Sequence, residues 1–286
     1  MVVVFGSVNL DLVARVSRLP RPGETIAGTG FAMAPGGKGA NQALAARRAG
    51  AAVAMFGAVG DDAFAAAALG NLVAAGVDVA GVAAVPASTG VALINVDARG
   101  ENAITVVAGA NAHARAALVP AASIGAGTTL LMQLEVPVPE VAALAARARA
   151  AGAGVLLNAA PAEPLPDELW HTVDVLLVNE REALEYANAW QLPAAPASFI
   201  GAMDARFGVA VVLTLGARGA ITLAEGALRE VAPPPVTVVD TTGAGDAFAG
   251  ALAAALDRGA ALPEAMDAAV RAGALACTHP GAQSVP

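Results

Sequence analysis

This 286-residue sequence predicts an α/β fold, with a central, mostly parallel sheet, helices on both of its faces, and a small β-sheet lid. Three observations carry that expectation. Short runs of Val, Leu and Ile alternate with alanine-rich stretches, an order that buries a parallel sheet between two helical layers. Gly, Asp and Pro punctuate the boundaries where helices start and stop. Two groups of extended segments, near 12–31 and 88–107, break the alternation and fit no doubly wound core, so they form a flap on its edge.

The elements follow in order. Residues 2–5 are apolar and close at Gly6, as a buried strand does. Extended segments over 12–17 and 25–31 come next, separated by Pro20, Pro22 and Gly23. A helix over 38–49 ends at Gly50 in the C′ position, and a strand covers 53–56. Asp61 or Asp62 caps a helix that ends near Gly76. Segments 91–96 and 103–107 form a hairpin about Asp97, Ala98, Arg99 and Gly100. Strands over 129–133, 155–158, 175–178 and 209–214 are interleaved with helices over 139–151 and 167–170. A late antiparallel hairpin spans 221–231, and helices over 244–258 and 263–276 follow. Pro233-Pro234-Pro235 is a stiff connector and no internal repeat occurs, so 1–286 reads as one α/β domain with its lid.

Composition narrows the function. Hydrophobic residues make up 57% and charged ones 14%, with a mean hydropathy of +0.63, which invites a membrane reading. A spanning helix needs about 20 predominantly apolar residues. The longest uncharged stretch, 116–134, contains Pro120, Ser123, Gly125, Gly127, Thr128, Thr129 and Gln133. The hydropathy therefore belongs to alanine-rich helices over valine-rich strands. The start, Met-Val-Val-Val-Phe-Gly, has no basic leader. The single cysteine, Cys277, allows no disulfide framework and no cysteine-based zinc site. His113, His171 and His279 lack metal spacing. A net charge of −8 and 3% aromatic residues argue against a nucleic-acid partner. A soluble, cytoplasmic protein acting on a small molecule is the expectation.

Three segments carry chemistry. In Val239-Asp240-Thr241-Thr242-Gly243-Ala244-Gly245-Asp246, a strand candidate feeds a Gly-Ala-Gly turn that opens a helix. Unpaired N–H groups and the helix dipole make such a start an anion site suited to phosphate. Asp246 in the first turn can take a proton from a hydroxyl while those N–H groups stabilise a transferring phosphoryl group. An isolated Gly-x-Gly-Asp more often only complements a helix terminus, and both readings stand at this point. In Pro35-Gly36-Gly37-Lys38-Gly39-Ala40-Asn41-Gln42, glycines allow close backbone approach to a ligand, and Lys38 and Asn41 supply polar contacts. The spacing is not that of a Walker A loop, and a plain turn into a helix stays open. In Gly6-Ser7-Val8-Asn9-Leu10-Asp11, Asn9 and Asp11 alternate with Leu10 beyond the first strand, so both can face one crevice. A pair of Asx turns is the competing reading.

In this order, these segments resemble the pfkB family of ribokinase-like carbohydrate kinases, and the resemblance runs from Gly6 to Gln283. Gly37-x-Gly39-x-Asn41 is similar to the family's N-terminal signature, and the stretch from Asp240 to Asp246 to its C-terminal one. Supporting stretches are Thr89-Gly90-Val91-Ala92, Gly109-Ala110-Asn111, Gln133-Leu134-Glu135, Asn179-Glu180-Arg181-Glu182, Thr214-Leu215-Gly216 and Gly281-Ala282-Gln283.

The resemblance implies a ribokinase-like fold and ATP-dependent phosphorylation of the terminal hydroxyl of a neutral sugar, D-ribose to D-ribose 5-phosphate foremost. Asp246 would be the base, and Gly243, Ala244 and Gly245 the anion hole. Asn9, Asp11, Gly37, Lys38, Asn41 and Glu135 would bond the sugar hydroxyls, with Ala92 and Ile104 of the lid as apolar contacts. Asn179, Thr214 and Gly216 would meet ATP. Glu182 would act on magnesium through water. Asp240, Thr242, Thr278, Gly281 and Ser284 would hold an activating potassium ion. A homodimer through the lid is also implied.

The residues themselves favour a neutral sugar, because the candidate sugar loops hold Lys38 but no arginine cluster for a phosphate. Deoxyribose, a nucleoside or another neutral sugar is the alternative within the class. A non-catalytic sugar-binding sensor is the alternative outside it, and the intact Gly243-Ala244-Gly245-Asp246 run weighs against that. Three departures from the family pattern bear on the site. Asn158-Ala159-Ala160-Pro161 stands where Asn-Pro-Ala-Pro is common. His279-Pro280 stands where basic residues are common. The sequence also stops at Pro286, which is expected to open the nucleotide pocket or weaken the cation site near Ser284.

Overall fold

Alternate valines of the first strand set up both sides of the sheet. In β1 (Val2–Phe5), Val2 and Val4 join one core while Val3 and Phe5 join another, and all four are fully buried. A strand buried on both faces is the mark of a parallel sheet covered by helices on either side. The computed structural model describes residues 1–284.

After β1 the chain builds β2 (Asn9–Val16), β3 (Gly28–Gly36), α1 (Lys38–Arg48), β4 (Val53–Gly60), α2 (Ala63–Ala74) and β5 (Asp78–Val85). The strands β6 (Gly90–Val96) and β7 (Asn102–Val107) follow, then short 3-10 turns, β8 (Thr129–Met132) and α3 (Val138–Ala150). Next come β9 (Gly154–Asn158), α4 (Asp167–Trp170), β10 (Val175–Asn179), α5 (Glu180–Trp190), α6 (Pro196–Phe207) and β11 (Ala210–Thr214). The strands β12 (Ala220–Ala224) and β13 (Ala227–Val231) and the helices α7 (Ala244–Asp257) and α8 (Leu262–Ala276) complete the order.

Nine strands form the main sheet in the order β13-β12-β11-β10-β9-β8-β1-β4-β5. Its pairs are parallel from β5 through β11, with β12 and β13 added antiparallel. From β1 the chain first builds outward through β4 and β5, then returns to β8 on β1's other side and builds the opposite way. That reversal opens a crevice at the carboxyl ends of β1 and β8. The lid is rooted at this point, a four-stranded sheet in the order β3-β2-β6-β7. One hydrophobic core unites α1, α2, α7 and α8 with one face of the main sheet, and a second unites α3, α4, α5 and α6 with the other.

Several elements differ from the sequence reading. The lid strand expected at 12–17 begins already at Asn9, because Asn9 pairs with Gly36 and Gly90. Its neighbour, expected at 25–31, covers Gly28–Gly36, and the strand expected at 53–56 extends to Gly60. The strand β5 and the helices α5 and α6 form where the sequence reading places no element. β5 is an edge strand, exposed or half-buried throughout, and its Asp-Val-Ala-Gly-Val-Ala-Ala-Val is rich in alanine and broken by Gly81, residues that do not favour a strand. Among the described residues, no helix is long and apolar enough to cross a membrane.

Candidate active site

The first turn of α7 places a carboxylate where three distant parts of the chain meet. Gly243 caps the helix with φ 76°, a left-handed conformation that glycine adopts without strain. A side chain there would meet Ala282 Cα at 2.5 Å, so glycine also lets the C-terminal turn close over the loop. Gly245 and Asp246 lie in the first helical turn, where no intrahelical carbonyl reaches their N–H groups. The Ala244 N–H, expected in the anion hole with its neighbours, turns back to Thr241 O at 3.2 Å. Asp246 is buried, at 8% exposure. Its Oδ2 accepts from Asn41 Nδ2 and its Oδ1 from Gln42 Nε2, both at 2.9 Å.

The crevice beside it is rich in oxygen. Ser7 Oγ donates to Glu135 Oε2 at 2.6 Å, and the Lys38 N–H donates to the same oxygen at 3.0 Å. Glu135 thus complements the start of α1. Asn9 Oδ1 accepts from Asn111 Nδ2 at 2.7 Å, and Asn111 Oδ1 accepts from the Val8 N–H at 2.9 Å. Asp11 is pushed up to about 6 by its burial, then by the charges of Glu135 and Asp246. Burial alone would lower the Lys38 ammonium, but Asp246, Glu135 and Glu182 outweigh it and hold it above its ordinary range. Cross-strand partners share a face, so Asp11, Ala92 and Val106 form one row of the lid, with Val13, Ile94 and Ile104 in the next. Ala92 is buried and Ile104 is 53% exposed, so apolar surface continues outward from Asp11.

Two cavities flank the start of α7. The smaller, about 130 Å³, is lined by Lys38, Asn158, Asn179, Glu182, Gly243 and Asp246 among others. The larger, about 560 Å³, runs between Thr214, Gly216, the Pro233-Pro234-Pro235 connector, Val270 and Cys277. They share Thr214 and Gly245, so the space is continuous in character from a mostly apolar slot to the buried carboxylate. Asn179 and Glu182, expected at magnesium and phosphate, also form a capping box on α5. Asn179 Oδ1 accepts from the Glu182 N–H at 2.8 Å, and Glu182 Oε2 accepts from the Asn179 N–H at 2.9 Å. Burial raises Glu182 above the usual carboxylate range, against the pull of its Asn179 bond and of Lys38.

The candidate cation loop is partly assembled. Asp240 Oδ1 accepts from the Thr242 N–H at 2.9 Å and from Thr242 Oγ1 at 2.7 Å, and Asp240 Oδ2 accepts from the Gly281 N–H at 2.8 Å. Burial would raise Asp240, but these bonds prevail and lower it. Thr278 Oγ1 turns away, donating to Leu275 O at 2.7 Å. A side chain at Gly281 would meet Ser284 Oγ at 3.4 Å, so those two positions adjoin. Among the described residues no three His, Cys, Asp or Glu side chains converge into a cage for a metal ion. Glu182 and Asp246, the carboxylates lining the smaller cavity, fit a hydrated magnesium carried mainly by phosphate oxygens, which takes only one or two carboxylates from protein. Asp240 with its hydroxyl neighbours suits a weakly held monovalent ion.

The sequence assigned no chemistry to six residues that the structure draws into the site: Ser7, Gln42, Asn111, Gln133, Asn158 and Gln283. Their signal was a buried amide or hydroxyl within or beside the segments that carry chemistry or the family-like stretches.

A buried carboxylate beside a helix N-terminus, with an oxygen-rich crevice on one side and an apolar slot on the other, has the form of a phosphotransferase site. The pfkB family of carbohydrate kinases is matched over residues 1–286, and the chain belongs to it. Ribokinase of Schizosaccharomyces pombe is 40% identical over 298 residues, covering 99% of this chain and 93% of that protein. The ribokinase structure from Thermotoga maritima superposes with a TM-score of 0.91 at 30% identity, covering 100% of this chain and 95% of the other. The Arabidopsis thaliana ribokinase complexed with ribose and ATP gives 0.87 at 30% identity, with the same two coverages.

Proposed function

We propose that this chain transfers the γ-phosphoryl group of ATP to the terminal hydroxyl of D-ribose, giving D-ribose 5-phosphate and ADP. The observation that carries it is Asp246, buried in the first turn of α7 and held by two amides between the two cavities. The names of the relatives support the choice of ribose. Asp246 accepts the hydroxyl proton as the oxygen forms its bond to the γ-phosphorus and the bond to the bridging oxygen of ADP breaks. The Gly243 and Gly245 amides, with the dipole of α7, stabilise the charge on the phosphoryl oxygens, and Ala244 adds to the dipole alone. Lys38 supplies positive charge from the sugar side.

Asn9, Asp11, Gly37, Asn41 and Glu135 read the sugar hydroxyls, and Ala92 and Ile104 cover the ring. Asn179, Thr214 and Gly216 line the nucleotide's path, and Glu182 would hold magnesium through water. A magnesium ion bound there would supply positive charge against the phosphates. Asp240, Thr242, Thr278, Gly281 and Ser284 would hold potassium, whose charge would steady the loop under the anion hole. We read the chain as one catalytic domain with a lid, a homodimer, working in the cytoplasm.

An assay of ATP-dependent phosphorylation over pentoses, hexoses and nucleosides, run in potassium and in sodium, tests this reading. Ribose with potassium should give the highest kcat/KM, and Asp246→Asn should lower kcat about 10²–10⁴-fold. Ribose binding without turnover on any sugar would favour the sensor.

A further inference from the structure

The hydrogen bonds around Asp246 have one workable polarity. Carboxylate oxygens accept, so each amide that meets them must present its nitrogen. Gln42 Nε2 reaches Asp246 Oδ1 at 2.9 Å and gives its other hydrogen to Asn158 Oδ1 at 2.9 Å. Gln42 Oε1 is thereby turned to Gln133, whose Nε2 donates at 2.7 Å. That leaves Gln133 Oε1 buried against Gly6 with no partner among the described residues. On the other side, Asn41 gives Nδ2 to Asp246 Oδ2 at 2.9 Å, which turns its Oδ1 to Gln283 Nε2 at 2.8 Å. Gln283 is anchored in turn: its Oε1 accepts from Asn71 Nδ2 at 3.0 Å, and its backbone carbonyl accepts from Arg48 Nη2 at 2.9 Å.

A buried polar atom without a partner costs about 1–3 kcal/mol, and apolar side chains of like volume would fill this junction without that cost. Gln42 and Gln133 are fully buried, and neither Gln42 nor Gln283 lines the cavities that flank α7. A chain of amides kept at such expense, ending on one carboxylate from two directions, has the form of a clamp. We propose that Gln42 and Gln283 are positioning residues that fix the Asp246 carboxylate toward the sugar hydroxyl, Gln42 directly and Gln283 through Asn41. The proposal rests on Asp246 as the base. It also ties the base to the C-terminal turn, because Gly281, two residues before Gln283, donates to Asp240.

Gln42→Met and Gln283→Met keep side-chain length and remove the donor. Each is measured alone and combined with Asp246→Asn, with kcat from steady-state kinetics and ribose Kd from calorimetry. Displacement of a reacting group costs up to about 100-fold in rate, so Gln42→Met should lower kcat about 10–100-fold and Gln283→Met about 3–10-fold. Ribose Kd should stay within about twofold, and neither change should lower the residual kcat of Asp246→Asn, because groups acting as a unit are not additive. Three outcomes overturn the proposal: kcat within about twofold of wild type for both variants, losses carried by ribose Kd, or equal losses in the Asp246→Asn background. Should Gln42→Met fail to fold, the Gln283→Met cycle decides alone, since that residue sits beyond the last helix. Near wild-type activity of Asp246→Asn instead fails the base assignment itself, and the clamp falls with it.

Discussion

Asp11 is held in the fold in a state it would leave if it could. Its carboxyl is raised from 3.8 to about 6, first by burial and then by Glu135 and Asp246. The folded chain therefore binds this proton more tightly than the unfolded chain does. The stabilisation from protonated Asp11 is fully present below the unfolded value of 3.8 and is lost as pH rises through about 6. A shift of this size corresponds to about 3 kcal/mol, reduced to about 1–2 kcal/mol because the group is not fully enclosed. Asp11→Asn should accordingly raise Tm at pH 7.5, with the gain shrinking toward pH 4, while ribose binding is lost. Thermal unfolding across that range checks it, and a lower Tm at pH 7.5 would show that local hydrogen bonds outweigh the charge. A bound sugar hydroxyl donating to Asp11 would relieve the same tension, which turns a local cost into selectivity for a polyol.

Between elements, the decisive spacing is that of α1 and α7. Gly250 lies one turn beyond Asp246 on the same side of α7 and touches α1 directly. A Cβ there would meet Gln42 O at 2.5 Å, and Ala45 Cβ and Ala46 N at 2.6 Å. The helix that carries Asp246 is thus set against the one that carries Asn41 and Gln42 at a distance only glycine permits. Gly250→Ala should destabilise the protein by about 1–3 kcal/mol through overpacking and lower kcat with ribose Kd little changed. Calorimetric unfolding with steady-state kinetics measures both, and an unchanged Tm and kcat would show that α1 yields without moving the base. These two helices were legible in the sequence because glycine signals bound their alanine runs. Others left fainter marks. The Asn179-x-x-Glu182 spacing serves a capping box as well as it serves a ligand element, so by itself it does not mark the start of α5. For α6, the marks in the sequence are Pro196 at the first turn and Phe199, Ile200, Met203 and Phe207 on one face. The amides of the clamp were not legible at all as a unit. Gln42, Gln133, Asn158 and Gln283 acquire their roles only when β8, β9, α1 and the C-terminal turn are brought together.

Over the whole molecule, the scarcity of charge has a different meaning in the body and in the lid. In the body, alanine and valine fill two cores against a sheet buried on both faces, and high hydropathy is consumed by packing. In the lid it is not. Every residue of β7 is exposed, and Ile104 and Val106 are 53% and 56% exposed on the face that carries Asp11. On the opposite face, beside Ala14 and Leu12, Phe31 and Met33 of β3 are 68% and 56% exposed. A single-layer sheet with this much apolar surface needs cover, and a contiguous exposed apolar patch marks an association surface. In the homodimer proposed above, a second copy of the lid would be the occupant, and such pairing would also brace Asp11, Ala92 and their row against the sugar. Sedimentation should therefore give twice the 27.9 kDa of one chain, and Val106→Asp should shift the protein to 27.9 kDa while weakening ribose binding. A wild-type monomer at micromolar concentration would leave the lid's apolar face to the sugar alone.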